Sequence, residues 1–143
     1  MMARAKLLVA AALLLGTATA CSDVTGNNVN AEGAFFLQTV NGTHVPYSFT
    51  DNSGNTVTVQ SDTYALNSDG TYDDQQISRV NGTTQTGTEF GTWTQSGNVI
   101  TFRPQQSDFD LTPYQGTVRN SGTFGGSRTL TISLNGSTAI YSD

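Results

Sequence analysis

The side chains that most often carry out catalysis or bind transition metals are sparse in this sequence. His44 is the only histidine, and a lone histidine just before a proline indicates a surface or turn residue rather than a general base or a metal ligand. Serines are plentiful, but no Gly-x-Ser-x-Gly elbow is present, and one histidine would have to serve every triad. A pair of catalytic carboxylates of the glycosidase type is left open among the eleven acids, since the sequence does not give the distances between side chains. The residue types therefore predict a protein that is not an enzyme and that has no cofactor or metal centre.

The acidic segment at residues 67–74, Asn-Ser-Asp-Gly-Thr-Tyr-Asp-Asp, has a faint likeness to a calcium-binding loop. With Gly70 at the sixth position of an EF-hand loop, Ala65 would be first and Gln76 twelfth, where that loop needs carboxylates. We interpret the segment as a hairpin turn followed by an acidic strand facing solvent. Weak calcium binding is left open for three carboxylates, Asp69, Asp73 and Asp74.

Cys21 is the only cysteine, and it directly follows a short apolar run that ends in small residues. Arg4 and Lys6 supply a positive start, and residues 7–15 are apolar without interruption. The length of this apolar run suits an export signal and is far shorter than the roughly 20 residues needed to cross a bilayer. An unpaired thiol is a liability in an oxidising compartment, whereas acylation would turn it into a membrane anchor.

The segment Ala18-Thr19-Ala20-Cys21 resembles the lipobox of bacterial lipoproteins, with Ala18 where a leucine is common. The resemblance implies a lipoprotein signal peptide at residues 1–20 and a Cys21 that carries diacylglyceryl and further acyl chains such as palmitate. It also implies a location in the bacterial cell envelope, and Ser22 after the cysteine implies sorting to the outer membrane. The alternative is an ordinary secretory cleavage site that leaves Cys21 as a free thiol.

The charge of the mature chain limits its partners. Beyond residue 20 there are four arginines, no lysine and eleven acids, a formal net charge of −7. Such a surface repels nucleic acid, so nucleic-acid binding is not expected. With a single cysteine there is no intramolecular disulfide. The abundant Thr, Ser, Asn, Gln and Gly are typical of exported β proteins with many turns.

The mature chain divides into a tether at residues 21–31, beginning with the lipidated cysteine, and one domain at residues 32–143. No segment has a helical apolar period, and short alternating segments separated by Asn-Gly and Asp-Gly turns predict about eight or nine strands. Sequential hairpins favour a small up-and-down antiparallel barrel. The inward-facing positions change from odd to even numbers across residues 61–62, which predicts a bulge or a break in the strand near there. The longest loop is expected at residues 105–111, and residues 125–127 are expected to end a strand.

Several short motifs resemble the lipocalin-like domains of bacterial lipoproteins, over residues 33 to about 141. They are Gly33-Ala34-Phe35-Phe36-Leu37 before Val40-Asn41-Gly42, Leu66-x-x-Asp69-Gly70-Thr71-Tyr72, Gly91-Thr92-Trp93, Asn98-x-Ile100-Thr101-Phe102, and Leu130-Thr131. The resemblance implies an up-and-down barrel with an apolar cavity and brings no catalytic residues with it.

Two functions follow as hypotheses. In the first, an anchored lipocalin-like barrel binds a small apolar ligand. In the second, a barrel contacts or inhibits a cationic envelope protein, as the net charge suggests. The residues that line the cavity in the first hypothesis, or pack as a core otherwise, are Phe35, Leu37, Val57, Val59, Tyr64, Leu66, Trp93, Ile100, Phe102, Leu130, Ile132 and Leu134.

Overall fold

A computed structural model describes residues 29–120 and 128–143, and this part of the chain is all β. The strands are β1 (Gly33–Val40), β2 (Thr43–His44), β3 (Tyr47–Thr50), β4 (Thr56–Leu66), β5 (Thr71–Val80), β6 (Thr83–Ser96), β7 (Val99–Ser107), β8 (Tyr114–Asn120), β9 (Arg128–Leu134) and β10 (Ser137–Ser142). Within these residues there is no helix of the length and apolarity needed to cross a membrane. The expected signal peptide, Cys21 and the strand end expected at residues 125–127 lie outside the described residues.

Eight of the strands close into an antiparallel barrel, as the sequence predicts. Each strand from β4 to β10 pairs with the next one along the chain, β10 pairs with β1, and β1 pairs with β4. The short strands β2 and β3 extend the sheet beside β1 and β4. The strand order is that of an up-and-down meander, because consecutive strands are joined by hairpins of the type that Asn-Gly pairs favour.

Three hairpins turn at Asn-Gly pairs in which both residues have a positive φ. The asparagines are Asn41, Asn81 and Asn135, with φ of 50°, 49° and 50°. Asparagine tolerates this left-handed conformation better than other non-glycine residues. Asn81 also crosses to β4: its Oδ1 accepts the Thr56 amide at 3.0 Å, and its Nδ2 donates to Asn55 Oδ1 at 2.8 Å.

Replacing Asn81 with alanine is expected to destabilise the barrel by about 2 kcal/mol, because alanine both loses the hydrogen bond to the Thr56 amide and strains the left-handed turn. Asn135→Ala is the matched control, since that turn has the same φ and the Asn135 side chain makes no hydrogen bond among the described residues. Urea denaturation of both variants measures the difference. Equal losses would mean that only the backbone conformation matters.

The predicted bulge is confirmed in β4. The pairing of β4 with β5 shifts by one residue between Val59 and Ser61. Val57 and Val59 therefore point into the barrel before the shift, and Asp62 and Tyr64 point into it after the shift. The bulge is what turns an acidic side chain inward.

Two predicted boundaries are wrong. β7 continues to Ser107, because residues 106 and 107 still pair with β6, so the loop expected at residues 105–111 begins only after Ser107. The chain also packs from Val29 onward, three residues before the expected start of the domain at residue 32. Val29 and Ala31 are buried, and the Gln95 side chain accepts from the Ala31 amide and donates to the Val29 carbonyl.

Residues 29–32 cover one end of the barrel, which we call the Arg128 end; the turns at residues 67–70 and 97–98 lie there too. Arg128 Nη1 donates to the carbonyl oxygens of Asn30 at 2.7 Å and Glu32 at 2.6 Å. The same guanidinium bonds to Asp143 Oδ2 through Nε at 2.7 Å, and it lies 5.2 Å from the centre of the Phe35 ring. The N-terminal segment and the last residue are thus fixed by one side chain.

Candidate functional site

Ten of the twelve residues predicted to line a cavity or form a core are buried. Nine of these ten belong to one hydrophobic cluster, against which Trp93 and Leu134 pack half-buried, whereas Val57 is buried outside that cluster. The indole Nε1 of Trp93 donates to the Asn67 carbonyl at 3.1 Å, which holds the ring at the rim of the Arg128 end.

Aromatic rings fill the middle of the barrel. The Phe102 ring centre lies 5.3 Å from that of Tyr64, 5.1 Å from that of Tyr72 and 4.9 Å from that of Tyr114. Tyr64 also meets Tyr141 edge to face at 5.2 Å. These separations are those of rings in direct contact. In the described part of the chain, therefore, the space that a ligand would take in an open lipocalin is occupied by side chains.

Buried carboxylates stand among these rings, so the prediction that the acidic strand after the 67–70 turn faces solvent is wrong for Asp74. Tyr64 pairs with Asp74, Asp74 with Glu89, and Glu89 with Ser107, so one row of inward side chains crosses four strands. Asp62 and Gln76 form the next row. Asp62 and Asp74 are 2% exposed and Glu89 is 3% exposed.

Glu89 is the centre of a hydroxyl network. Its Oε1 accepts from the hydroxyl groups of Tyr72 at 2.7 Å and Tyr114 at 2.6 Å, and its Oε2 accepts from Ser107 at 2.8 Å. The hydroxyl groups of Tyr64 and Tyr114 are 2.9 Å apart, which brings a fifth strand, β4, into the network. Short hydrogen bonds of this kind satisfy a carboxylate in a dry interior.

Asp62 is only half satisfied. Its Oδ2 accepts from the Tyr141 hydroxyl at 3.0 Å and from Gln76 Nε2 at 3.3 Å. Its Oδ1 is buried and has no hydrogen-bond partner. Buried polar atoms are nearly always paired, so an exception of this kind calls for an explanation.

The interior tyrosines resist ionisation. Burial raises the pKa of the Tyr64, Tyr114 and Tyr141 hydroxyl groups well above its usual range, and the charges of nearby carboxylates raise it further. Burial, followed by the hydrogen bond to Glu89, raises the pKa of Tyr72 in the same direction. A phenolate in this interior would lose its hydration and face negative charge.

We expect these four tyrosines to keep their protons in the folded protein above pH 10, whereas the unfolded chain releases them near the usual value of about 10. Below pH 10 they add no pH dependence to stability, and above it the free energy of unfolding falls as pH rises. Tyrosinate absorbance measured against pH, with and without denaturant, tests this. The native curve should rise mainly at the pH of unfolding; a native curve that follows the denatured one would contradict the buried network.

The three acids considered for calcium do not converge. Asp69 lies in an exposed turn, where its Oδ1 accepts from the amide and the hydroxyl of Thr71 at 2.9 and 2.6 Å. Asp73 faces solvent and Asp74 faces the barrel interior, because they are neighbours on one strand. Among residues 29–120 and 128–143 no group of three His, Cys, Asp or Glu side chains could hold a metal ion.

The opposite end of the barrel, which we call the Phe109 end, is covered by a loop side chain. Phe109 follows β7, and its ring lies over Gly87 of β6: a Cβ atom built on Gly87 would be 2.2 Å from Phe109 Cζ. The Phe109 amide donates to Ser107 Oγ at 3.0 Å, and Asp108 Oδ2 accepts from the Thr88 amide at 3.0 Å. These bonds hold the loop across the opening.

Comparison with known proteins gives no relative. No protein-family model, no curated protein and no solved structure matches the chain. The residues and their geometry are therefore the basis for a functional proposal.

Proposed function

We propose that this chain is a non-enzymatic lipoprotein of the bacterial envelope, anchored in the outer membrane by an acylated Cys21, whose lipocalin-like barrel contacts a protein partner. The observation that carries the second half of the proposal is the packed interior, in which aromatic rings touch across the barrel. A filled barrel leaves its outer surface and loops for recognition.

The charge outside the barrel is smaller than the sequence suggests. Three of the eleven acids, Asp62, Asp74 and Glu89, are inside. The described acids that remain outside number seven, against four arginines. The surface still favours a cationic partner, but a complex of this kind should weaken only moderately with salt.

The anchor would decide which end meets that partner. Seven residues separate Cys21 from Val29, and a chain of that length reaches at most about 29 Å when fully extended. Because Val29 packs at the Arg128 end, that end would face the membrane. The Phe109 end, where Leu111 is 56% exposed, would face away from it.

Two measurements test the proposal. Intact-mass analysis should find Cys21 at the N-terminus with acyl chains, and Cys21→Ser should abolish both cleavage and membrane association. A free Cys21 thiol would remove the anchor.

For the contact surface, the full chain is used to retain envelope proteins at low and moderate salt. Leu111→Arg should abolish retention of a partner, whereas Val99→Arg should not, since Val99 is 41% exposed at the Arg128 end. Equal retention by both variants would contradict the assignment of the Phe109 end.

A small apolar ligand is the second candidate, and one observation favours it: the Phe109 end is closed by a loop side chain rather than by the barrel wall. Phe109→Ala should then increase retention of members of a lipid and sterol panel. No retention by the wild type or by this variant would remove the candidate.

A further inference from the structure

Asp62, whose Oδ1 has no hydrogen-bond partner, lines a small cavity. A cavity of about 10 Å³ is lined by Asp62, Gln76 and Tyr141 on its polar side, and by Leu37, Val59 and Ala139 among its apolar walls. Asp62 Oδ1 is buried without a hydrogen-bond donor. The space is about the size of one water molecule or one ammonium group.

No cationic side chain of residues 29–120 and 128–143 lies in the interior near Asp62. Arg128 is held at the Arg128 end by Asp143 and by two backbone carbonyls. The remaining described cationic side chains are exposed: His44, Arg79, Arg103 and Arg119. Asp62 therefore has no positively charged side chain beside it in these parts of the chain, and a buried carboxylate without one is costly.

A route to this space begins under Phe109. A second cavity of about 10 Å³ lies below the Phe109 ring, and Gln76 lines both cavities. Gly87 has no side chain on the inner wall, and the atoms nearest to the place of a Cβ there belong to the Phe109 ring. If the ring moved out, a narrow opening would lead past Gln76 to Asp62.

We propose that the barrel binds a small primary alkylamine in its protonated form, with the ammonium group at Asp62 Oδ1 and the alkyl chain directed toward the place of the Phe109 ring. The ammonium group supplies both the missing donor and the missing positive charge. The Gln76 side chain offers a second polar contact, and Tyr141 keeps the other oxygen of Asp62 in place. Leu37, Val59 and Ala139 suit the methylene groups next to the nitrogen.

A single water is the competing occupant. A buried water usually makes about three hydrogen bonds, and a space with largely apolar walls offers it few. An ammonium group gains more from one carboxylate, since the bond is charge-assisted. The inference concerns the barrel interior and does not rest on the lipid anchor or on a protein partner.

The test is calorimetric titration of the detergent-solubilised full chain with n-butylammonium, and with n-butanol as the neutral probe of similar length. Butylammonium should bind and butanol should bind at least tenfold more weakly. Phe109→Ala should tighten butylammonium binding about tenfold, since the ring no longer has to be displaced.

Asp62→Asn should weaken butylammonium binding at least tenfold, whereas Asp73→Asn, which removes the same charge on the outer face of β5, should leave it unchanged. If Asp62→Asn does not fold, the comparison of the two probes on Phe109→Ala decides. Absence of butylammonium binding to both the wild type and Phe109→Ala, or equal binding of the two probes, would mean that the cavity holds only water and would overturn the proposal.

Discussion

Replacing Glu89 with leucine is expected to lower the free energy of unfolding by about 5 kcal/mol. Three hydroxyl donors, from Tyr72, Tyr114 and Ser107, would lose a charged acceptor in the interior. Each hydrogen bond to a charged group contributes about 1.5–3 kcal/mol, and the Tyr72 hydroxyl left without an acceptor belongs to a fully buried side chain. Since a domain of this size has roughly 5–15 kcal/mol in total, the variant would be close to unfolding at growth temperature.

Glu89→Gln is the matched control for this prediction. The amide oxygen still accepts from the two tyrosines, and the amide nitrogen donates to Ser107 Oγ, so the expected loss is about 1 kcal/mol. Adding Tyr72→Phe to Glu89→Leu should restore part of the stability, because the hydroxyl group left without its acceptor is removed as well. Urea denaturation measures all four proteins. Equal losses in the Leu and Gln variants would show that the network contributes little.

Gly91→Ala should be nearly as damaging, by about 3 kcal/mol. A Cβ atom at Gly91 would lie 2.2 Å from the backbone oxygen of Arg103 and 2.8 Å from a ring carbon of Tyr72. The obstacle is the paired strand itself, at the point where the register of β6 and β7 shifts. A rotamer change cannot relieve such a contact, and overpacking of this kind shifts the backbone.

Gly87→Ala provides the comparison, because its added Cβ meets an equally close obstacle of a different kind. The nearest atom, also at 2.2 Å, belongs to the Phe109 ring, which is carried on a loop and can move outward. We expect a loss below about 1 kcal/mol for this variant and easier access to the Phe109 end. Thermal unfolding of the two alanine variants distinguishes the cases, and equal losses would mean that the Phe109 ring is held as firmly as a strand.

The parts of the fold that depend on neighbouring residues could be predicted from the sequence. Asn41, Asn81 and Asn135 each stand before a glycine and each turns a hairpin. The change of parity in β4 predicted the bulge before any pairing was known. The packing of residues 29–31 could not be predicted, because Val29 and Ala31 are two small apolar side chains in a polar stretch and form no clear periodic pattern.

The interior network depends on register between distant strands, which the sequence does not show. Alternation from Tyr72 would have placed Asp74 and Gln76 inside, but acidic residues are rarely buried, so the segment was interpreted as solvent-facing. Only the pairing of the four strands β5 to β8 brings Glu89 within hydrogen-bonding distance of the hydroxyl groups of Tyr72 and Tyr114. Gly87 and Phe109 lie far apart in the chain, with β7 between them, so no local sequence pattern predicts their contact.

The pairing of β1 with both β10 and β4 has a consequence for how the molecule is assembled. The seam of the cylinder joins the first long strand to the last one, so the ring stays incomplete until residues 137–142 have been synthesised. Up to that moment β1 and β9 each present an unpaired edge, the kind of surface on which chains associate wrongly. Sequence separation across the seam makes its formation a late and slow event. An accessory protein that shields the two edges during folding would therefore raise the yield of the native form more than one that acts on any single hairpin.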